Sequence, residues 1–167
     1  MVSYDYAFLS VHDGKGKGLK KREEKAQEAT RLLIGKDSKS KTLFAHAIPH
    51  KGVHHGSWNF ERVNNDLQKL GYRMLILKSD KEPAIIAQVR EAQRIAGGVE
   101  VVEEFSHTGN PQSNGEVEQA VRTVKSKTTS VLASLERAVK RNIPMSHPIV
   151  GWAAQFVADC MNRYVLR

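Results

Sequence analysis

The run Pro111-Gln112-Ser113-Asn114-Gly115-Glu116-Val117-Glu118 sets turn-forming residues directly before a long amphipathic stretch. Glu118 falls in the first turns of the helix that follows. Arg122 and Lys125 stack on its side, and at 3.6 residues per turn the three positions share about 60° of arc. A carboxylate beside two cations suits a site that must hold both a metal ion and a phosphate. The plainer reading is a solvated helix face with a Glu-to-Arg i,i+4 pair worth about 0.2–0.5 kcal/mol.

Two more acids occupy element ends. Asp5 sits inside Tyr4-Asp5-Tyr6-Ala7-Phe8-Leu9, an apolar strand-like run where a charge is costly unless paired or coordinated. Asp80 follows the hydrophobic run that ends at Leu77, and open α/β sheets commonly place ligands at such strand ends. Three carboxylates meeting from distant positions would form a hard oxygen site suited to Mg²⁺ or Mn²⁺. Taken singly, Asp5 also fits an exposed strand start. Asp80 also fits a plain helix cap before Glu82 and Pro83.

The elements that must position these groups are legible. Val2 to Leu9 reads as a strand. Arg31–Lys36 and Thr42–Ile48 are apolar runs separated by Asp37-Ser38-Lys39-Ser40-Lys41, a hairpin with its turn chemistry in place. A helix starts at Ser57, with Trp58, Val63, Leu67 and Leu70 as core contacts and Gly71 as its stop. Tyr72–Leu77 reads as a buried strand, and Pro83 opens a helix that Gly97-Gly98 ends. Val99–Phe105 is a further strand. A long helix over about 113–142 carries Val117, Val121, Val124, Val131, Leu135 and Val139 as its inward stripe. After Pro144, a last helix over about 147–164 is expected to bury Ile149, Trp152, Phe156, Cys160 and Tyr164. An antiparallel three-strand meander, then strands joined through helices, gives a mixed sheet in an α/β layer fold.

Bulk properties narrow the partners. The 167 residues read as one domain, 1–167, with 40% hydrophobic residues. The 26 Lys and Arg outnumber the 18 Asp and Glu, giving a net charge of +8. A basic balance favours a polyanion, nucleic acid first. No apolar run approaches the length of a membrane span. Cys160 is the single cysteine, so no disulfide forms within the chain. The glycine-punctuated Lys15–Lys25 segment reads as a solvated loop that could also meet a polyanion.

With these residues in view, the chain resembles the catalytic core of retroviral and retrotransposon integrases, the retrotransposon kind more closely. The resemblance covers nearly the whole sequence. Its most specific element is PQSNGEVE, followed by Leu77-Lys78-Ser79-Asp80 and the opening DYAFL. Phe44-Ala45-His46-Ala47 with Lys51-Gly52, Trp152, and Asn162-Arg163 add to it. The resemblance implies an RNase H-like fold: a five-stranded mixed sheet flanked by helices. It implies that Asp5, Asp80 and Glu118 are the catalytic metal ligands, holding two Mg²⁺ or Mn²⁺ ions. It also implies DNA contacts at Asn114, Arg122 and Lys125.

Integration by phosphoryl transfer, through 3′-end processing and strand transfer, is the implied activity. A homodimer or higher oligomer is the implied assembly. The nucleus, or a cytoplasmic nucleoprotein particle before integration, is the implied location, and no membrane partner is expected. The chain departs from the family in a slightly longer 81–117 gap and in Lys81-Glu82 after the second acid. With one cysteine, His46, His50, His54 and His55 do not complete the family's zinc site, so no structural zinc is expected. Neither a zinc-binding module nor a C-terminal DNA-binding domain is read in 1–167. An inactive DNA-binding remnant and a related nuclease or transposase are the alternatives.

Overall fold

The structure, a computed structural model, describes residues 1–9, 29–49, 58–79, 87, 90–91, 99–105 and 115–164. The Lys15–Lys25 segment, Asp80 and Asn114 lie outside the described residues, as do the side chains of 58–60, 79 and 105; of the helix expected from Pro83, only 87 and 90–91 are described, and they are helical.

Among the described residues, five strands form one sheet in the order β3-β2-β1-β4-β5. They are β1 (Val2–Leu9), β2 (Thr30–Asp37), β3 (Leu43–Ala47), β4 (Met74–Ser79) and β5 (Glu100–Phe105). The β1/β2 and β2/β3 pairs are antiparallel, and β1/β4 and β4/β5 are parallel. Among the described residues, three helices with full bounds flank it: α1 (Trp58–Leu70), α2 (Gly115–Val139) and α3 (Pro148–Tyr164). The mixed meander-plus-parallel sheet expected from the sequence is what forms.

Local chemistry explains the boundaries. Asp37 closes the β2–β3 turn, with its Oδ2 accepting from the Ser40 amide and hydroxyl, each at 2.7 Å, and from the Tyr72 hydroxyl at 2.8 Å. Gly71 stops α1 in the left-handed region, φ 67°, where a side chain would be strained. Lys140 adopts φ 54° just after α2, and the Arg141 amide reaches back to the Glu136 carbonyl at 3.3 Å. The Glu136 side chain then accepts from the Ile143 amide at 2.7 Å, turning the chain toward Pro144.

Alternation along β1 divides the core. Val2, Tyr4 and Tyr6 pack with Leu33, Ile48, Val63, Leu67, Leu75 and Leu77 under α1. Ala7 and Leu9 pack with Leu32, Ile34, Leu43 and Ala45 under α2 and α3. On the first face the Tyr4 hydroxyl donates to Asp66 of α1. Burial, then the Asp66 charge and that hydrogen bond, hold the Tyr4 phenol well above its usual range, so it stays a donor.

Three expectations are corrected. The buried side of α3 consists of Val150, Gly151, Ala153, Ala154, Val157 and Ala158, while Trp152 is 56% and Phe156 41% exposed. Cys160 is half-buried and Tyr164 exposed. The helix runs so close to β3 that only small residues fit between, which turns the aromatic side outward. Along α2 the inward stripe is Val117, Ala120, Val124, Thr128 and Leu132; Val121 and Val131 flank it, Leu135 is half-buried and Val139 is exposed. In β4, Leu75 and Leu77 are buried but Met74 is 61% exposed and Ile76 is exposed. The α2 and α3 helices pack on β1, β2 and β3, and Met74 and Ile76 of β4 lie outside the area they cover.

Candidate active site

Asp5 occupies the middle of β1, opposite Ile34 of β2. The two-residue period turns it toward the face that α2 and α3 cover, with Ala7 and Leu9. It is half-buried, and its Oδ1 accepts from the Tyr6 amide at 2.7 Å. Glu118 is the fourth residue of α2, and α2 packs against β1 and β2. Its side chain is 50% exposed and lies 3.7 Å from the Arg122 guanidinium. Glu116 and Glu118 both sit in the first turn, where the helix dipole favours negative charge. Lys41 in the β2–β3 turn pairs with Glu116 at 2.9 Å and ties that end of α2 to the sheet.

The remaining expected groups divide as follows. Arg122 is exposed and Lys125 half-buried on α2, on the Glu118 side of the helix. Strand β4 ends at Ser79, the register partner of Tyr4, immediately before Asp80. Asp80 itself lies outside the described residues, as does Asn114, which precedes Gly115 at the start of α2. Among the described residues, no group of three or more His, Cys, Asp or Glu is arranged around an ion. The donor chemistry of Asp5 and Glu118 nevertheless fits a hard divalent cation, since both supply carboxylate oxygens from elements packed against each other.

A shallow groove of about 550 Å³ runs along the outer side of α2, lined by Gly115, Gln119, Arg122, Thr123, Ser126 and Lys127. No acid lines it. Its cations and polar groups suit a phosphate backbone that needs no base reading.

One group escaped the reading of the sequence. Lys78 is buried, pairs in register with Ser3 and forms an ion pair with Glu104 of β5 at 3.2 Å. By alternation it shares the sheet face of Asp5. A lysine at the end of an otherwise apolar strand was the available signal.

No protein-family model matches the sequence, and no curated protein does. Solved structures do match in fold. A chain of the simian T-cell lymphotropic virus intasome, solved in complex with PP2A regulatory subunit B56γ, aligns with TM-score 0.67 at 17% identity over 99% of this chain. This chain spans about half, 49%, of that one. The catalytic core of BIV integrase aligns with TM-score 0.56 at 18% identity, covering 99% of this chain and 85% of that core. The HTLV-2 integrase catalytic core in complex with magnesium, in its trimeric form, aligns with TM-score 0.59 at 12% identity over 99% and 86% of the two chains. The fold is therefore that of an integrase catalytic core, within the RNase H-like class. At such identities the likeness carries architecture, and the chemistry rests on this chain's own residues.

Proposed function

We propose that this chain is the catalytic core of a retrotransposon-type integrase, a polynucleotidyl transferase that trims DNA 3′ ends and joins them to target DNA. One observation carries the reading. In an integrase-core fold, Asp5 lies on the sheet face against which the Glu118-bearing helix packs. Asp80, the residue after Ser79 in the sequence, is taken as the third donor; β4 ends at Ser79, the register partner of Tyr4.

Asp5, Asp80 and Glu118 act as ionised oxygen donors for Mg²⁺ or Mn²⁺, and not as general acids. Two ions bound there would activate the attacking oxygen, from water or a DNA 3′-hydroxyl, and stabilise the departing 3′ oxygen. Arg122 and Lys125 hold the phosphates flanking the scissile bond, and Asn114 adds a polar contact at the helix start. Water as nucleophile gives end trimming; a 3′-hydroxyl gives joining. Both reactions use one site, so orientation of the DNA decides between them.

The test is incubation of the protein with oligonucleotide duplexes in Mg²⁺ or Mn²⁺. Nicking or joining is expected, with loss of both in Glu118→Gln at unchanged thermal stability. Binding of DNA without cleavage in either metal would instead identify an inactive remnant. Preferential cleavage of an RNA–DNA hybrid would identify a nuclease on the same fold.

The reading extends to assembly and location. Self-association through the aromatic side of α3 is supported by its exposed Trp152–Phe156 pair, and related cores have been solved in dimeric and trimeric forms. The DNA substrate implies residence in the nucleus, or in a cytoplasmic nucleoprotein particle before integration, which imaging of the tagged protein would check. Retrotransposon polyprotein origin is part of the same proposal.

A further inference from the structure

Beneath Asp5, on the opposite face of the sheet, three elements meet in a buried polar cluster. The Tyr4 hydroxyl donates to Asp66 Oδ2 at 3.2 Å, and His46 Nε2 lies 2.7 Å from the same oxygen. Tyr4 and Asp66 are each 1% exposed and His46 is buried. The three residues come from β1, α1 and β3, so the cluster crosses β2 between them. Crossing is possible because Gly35 of β2 has no side chain. A Cβ there would stand 2.5 Å from the Tyr4 ring, so the ring lies flat over the glycine and reaches Asp66.

This is an expensive arrangement to retain in a core. A buried carboxylate is tolerated only with its partners in place, and an apolar trio would fill the space without that requirement. The cluster therefore fixes something that apolar packing alone would leave loose. Tyr4 is the residue before Asp5. Adjacent residues of a strand point to opposite faces, so the rotation and axial placement of β1 at Tyr4 set where the Asp5 carboxylate points.

We propose that Asp66, through Tyr4 and backed by His46, is a positioning residue that holds β1 so that Asp5 presents its carboxylate to the metal site. The inference rests on the integrase reading above. It assigns no contact between Asp66 and metal or DNA. The clamp works across the sheet, and its removal should be felt in metal affinity before it is felt in DNA affinity.

Tyr4→Phe removes the hydroxyl and keeps the ring over Gly35; Asp66→Asn keeps the side-chain shape and removes the carboxylate. Val63→Ala, which opens a cavity in the same apolar cluster and removes none of the hydrogen-bonding groups of Tyr4, Asp66 or His46, is the control for simple loosening. Each protein is titrated with Mn²⁺ by calorimetry, its DNA affinity is measured without metal, and kcat and KM are separated on a nicking substrate. Tyr4→Phe and Asp66→Asn are expected to weaken Mn²⁺ binding by about tenfold, the lower end of the effect of removing a ligand's support. Both should lower kcat with DNA affinity unchanged, while Val63→Ala lowers thermal stability alone. Mn²⁺ affinity in Tyr4→Phe equal to that of the unmodified protein would overturn the inference and leave the integrase reading standing. If the unmodified protein binds no Mn²⁺ that Glu118→Gln abolishes, the integrase reading fails first and the inference falls with it. Should Asp66→Asn fail to fold, Tyr4→Phe alone decides.

Discussion

Gly151 of α3 and Ala47 of β3 meet at a separation that only a missing side chain permits: a Cβ on Gly151 would stand 2.5 Å from that of Ala47. Asn162 secures the same contact further along the helix. Its side-chain amide donates to the Leu43 carbonyl at 2.7 Å and its oxygen accepts from the Leu43 amide at 2.8 Å. Gly151→Ala gains helix propensity of about 1 kcal/mol but must push α3 off the sheet, an over-packing cost of about 1–3 kcal/mol. A net loss of about 1 kcal/mol is expected, seen as a melting temperature lower by roughly 2–4 °C. Gly151→Val should lose more.

The outward side of α3 makes a different prediction. The Trp152 and Phe156 rings stack with centroids 5.1 Å apart and 13° between their planes, in contact with solvent. Because the pair is half-exposed, Trp152→Ser with Phe156→Ser should change the stability of the single protomer by less than about 1 kcal/mol. Sedimentation should show loss of the self-associated species. An unchanged distribution would assign assembly to another surface.

Acid should open the β2–β3 turn. Burial raises the Asp37 carboxyl, but hydrogen bonds from the Ser40 hydroxyl and amide, the Tyr72 hydroxyl and the Lys39 amide outweigh it, leaving its pKa below the ordinary 3.8. A depressed folded-state value means the stabilisation is fully present above 3.8 and is lost as pH falls through the lower, folded value. Asp37→Asn should be less stable at neutral pH and should lose less on acidification, as read by thermal melts from pH 7 down to pH 2. Parallel pH profiles for the two proteins would contradict this account of the turn.

DNA binding should fall steeply with salt. If Arg122 and Lys125 each neutralise one phosphate, removing either should lower the magnitude of the log–log salt slope by about 0.9. The loss in affinity should be similar across sequences, because backbone contacts carry no base information. A change of sequence preference in Arg122→Ala would indicate base reading instead.

The sequence carried most of the fold because its elements end in chemistry that acts locally. Asp37 and Ser40 close a turn, Gly71 supplies a left-handed stop, and Pro144 interrupts the chain whatever packs nearby. The element positions of two of the expected acids were also legible, Asp5 within β1 and Glu118 in the first turn of α2. The inward side of α3 was not legible, because residue size is a poor guide where two backbones approach closely. There Ala153, Ala154 and Gly151 go inside and Trp152 goes out. The Tyr4–Asp66–His46 cluster and the Lys78–Glu104 pair were hidden for another reason. Their partners are 62, 20 and 26 residues apart in the chain, and only the sheet order brings them together.

The central claim is that Asp5, Asp80 and Glu118 share bound divalent ions. Crystals soaked in Mn²⁺ and measured at the manganese absorption edge test it most directly. Two anomalous peaks are predicted, about 3.5–4 Å apart, with oxygens of all three side chains at coordination distance, about 2.1 Å as for Mg²⁺. An absence of ions at these three carboxylates, or ions bound with one of the acids turned away to another partner, would contradict it.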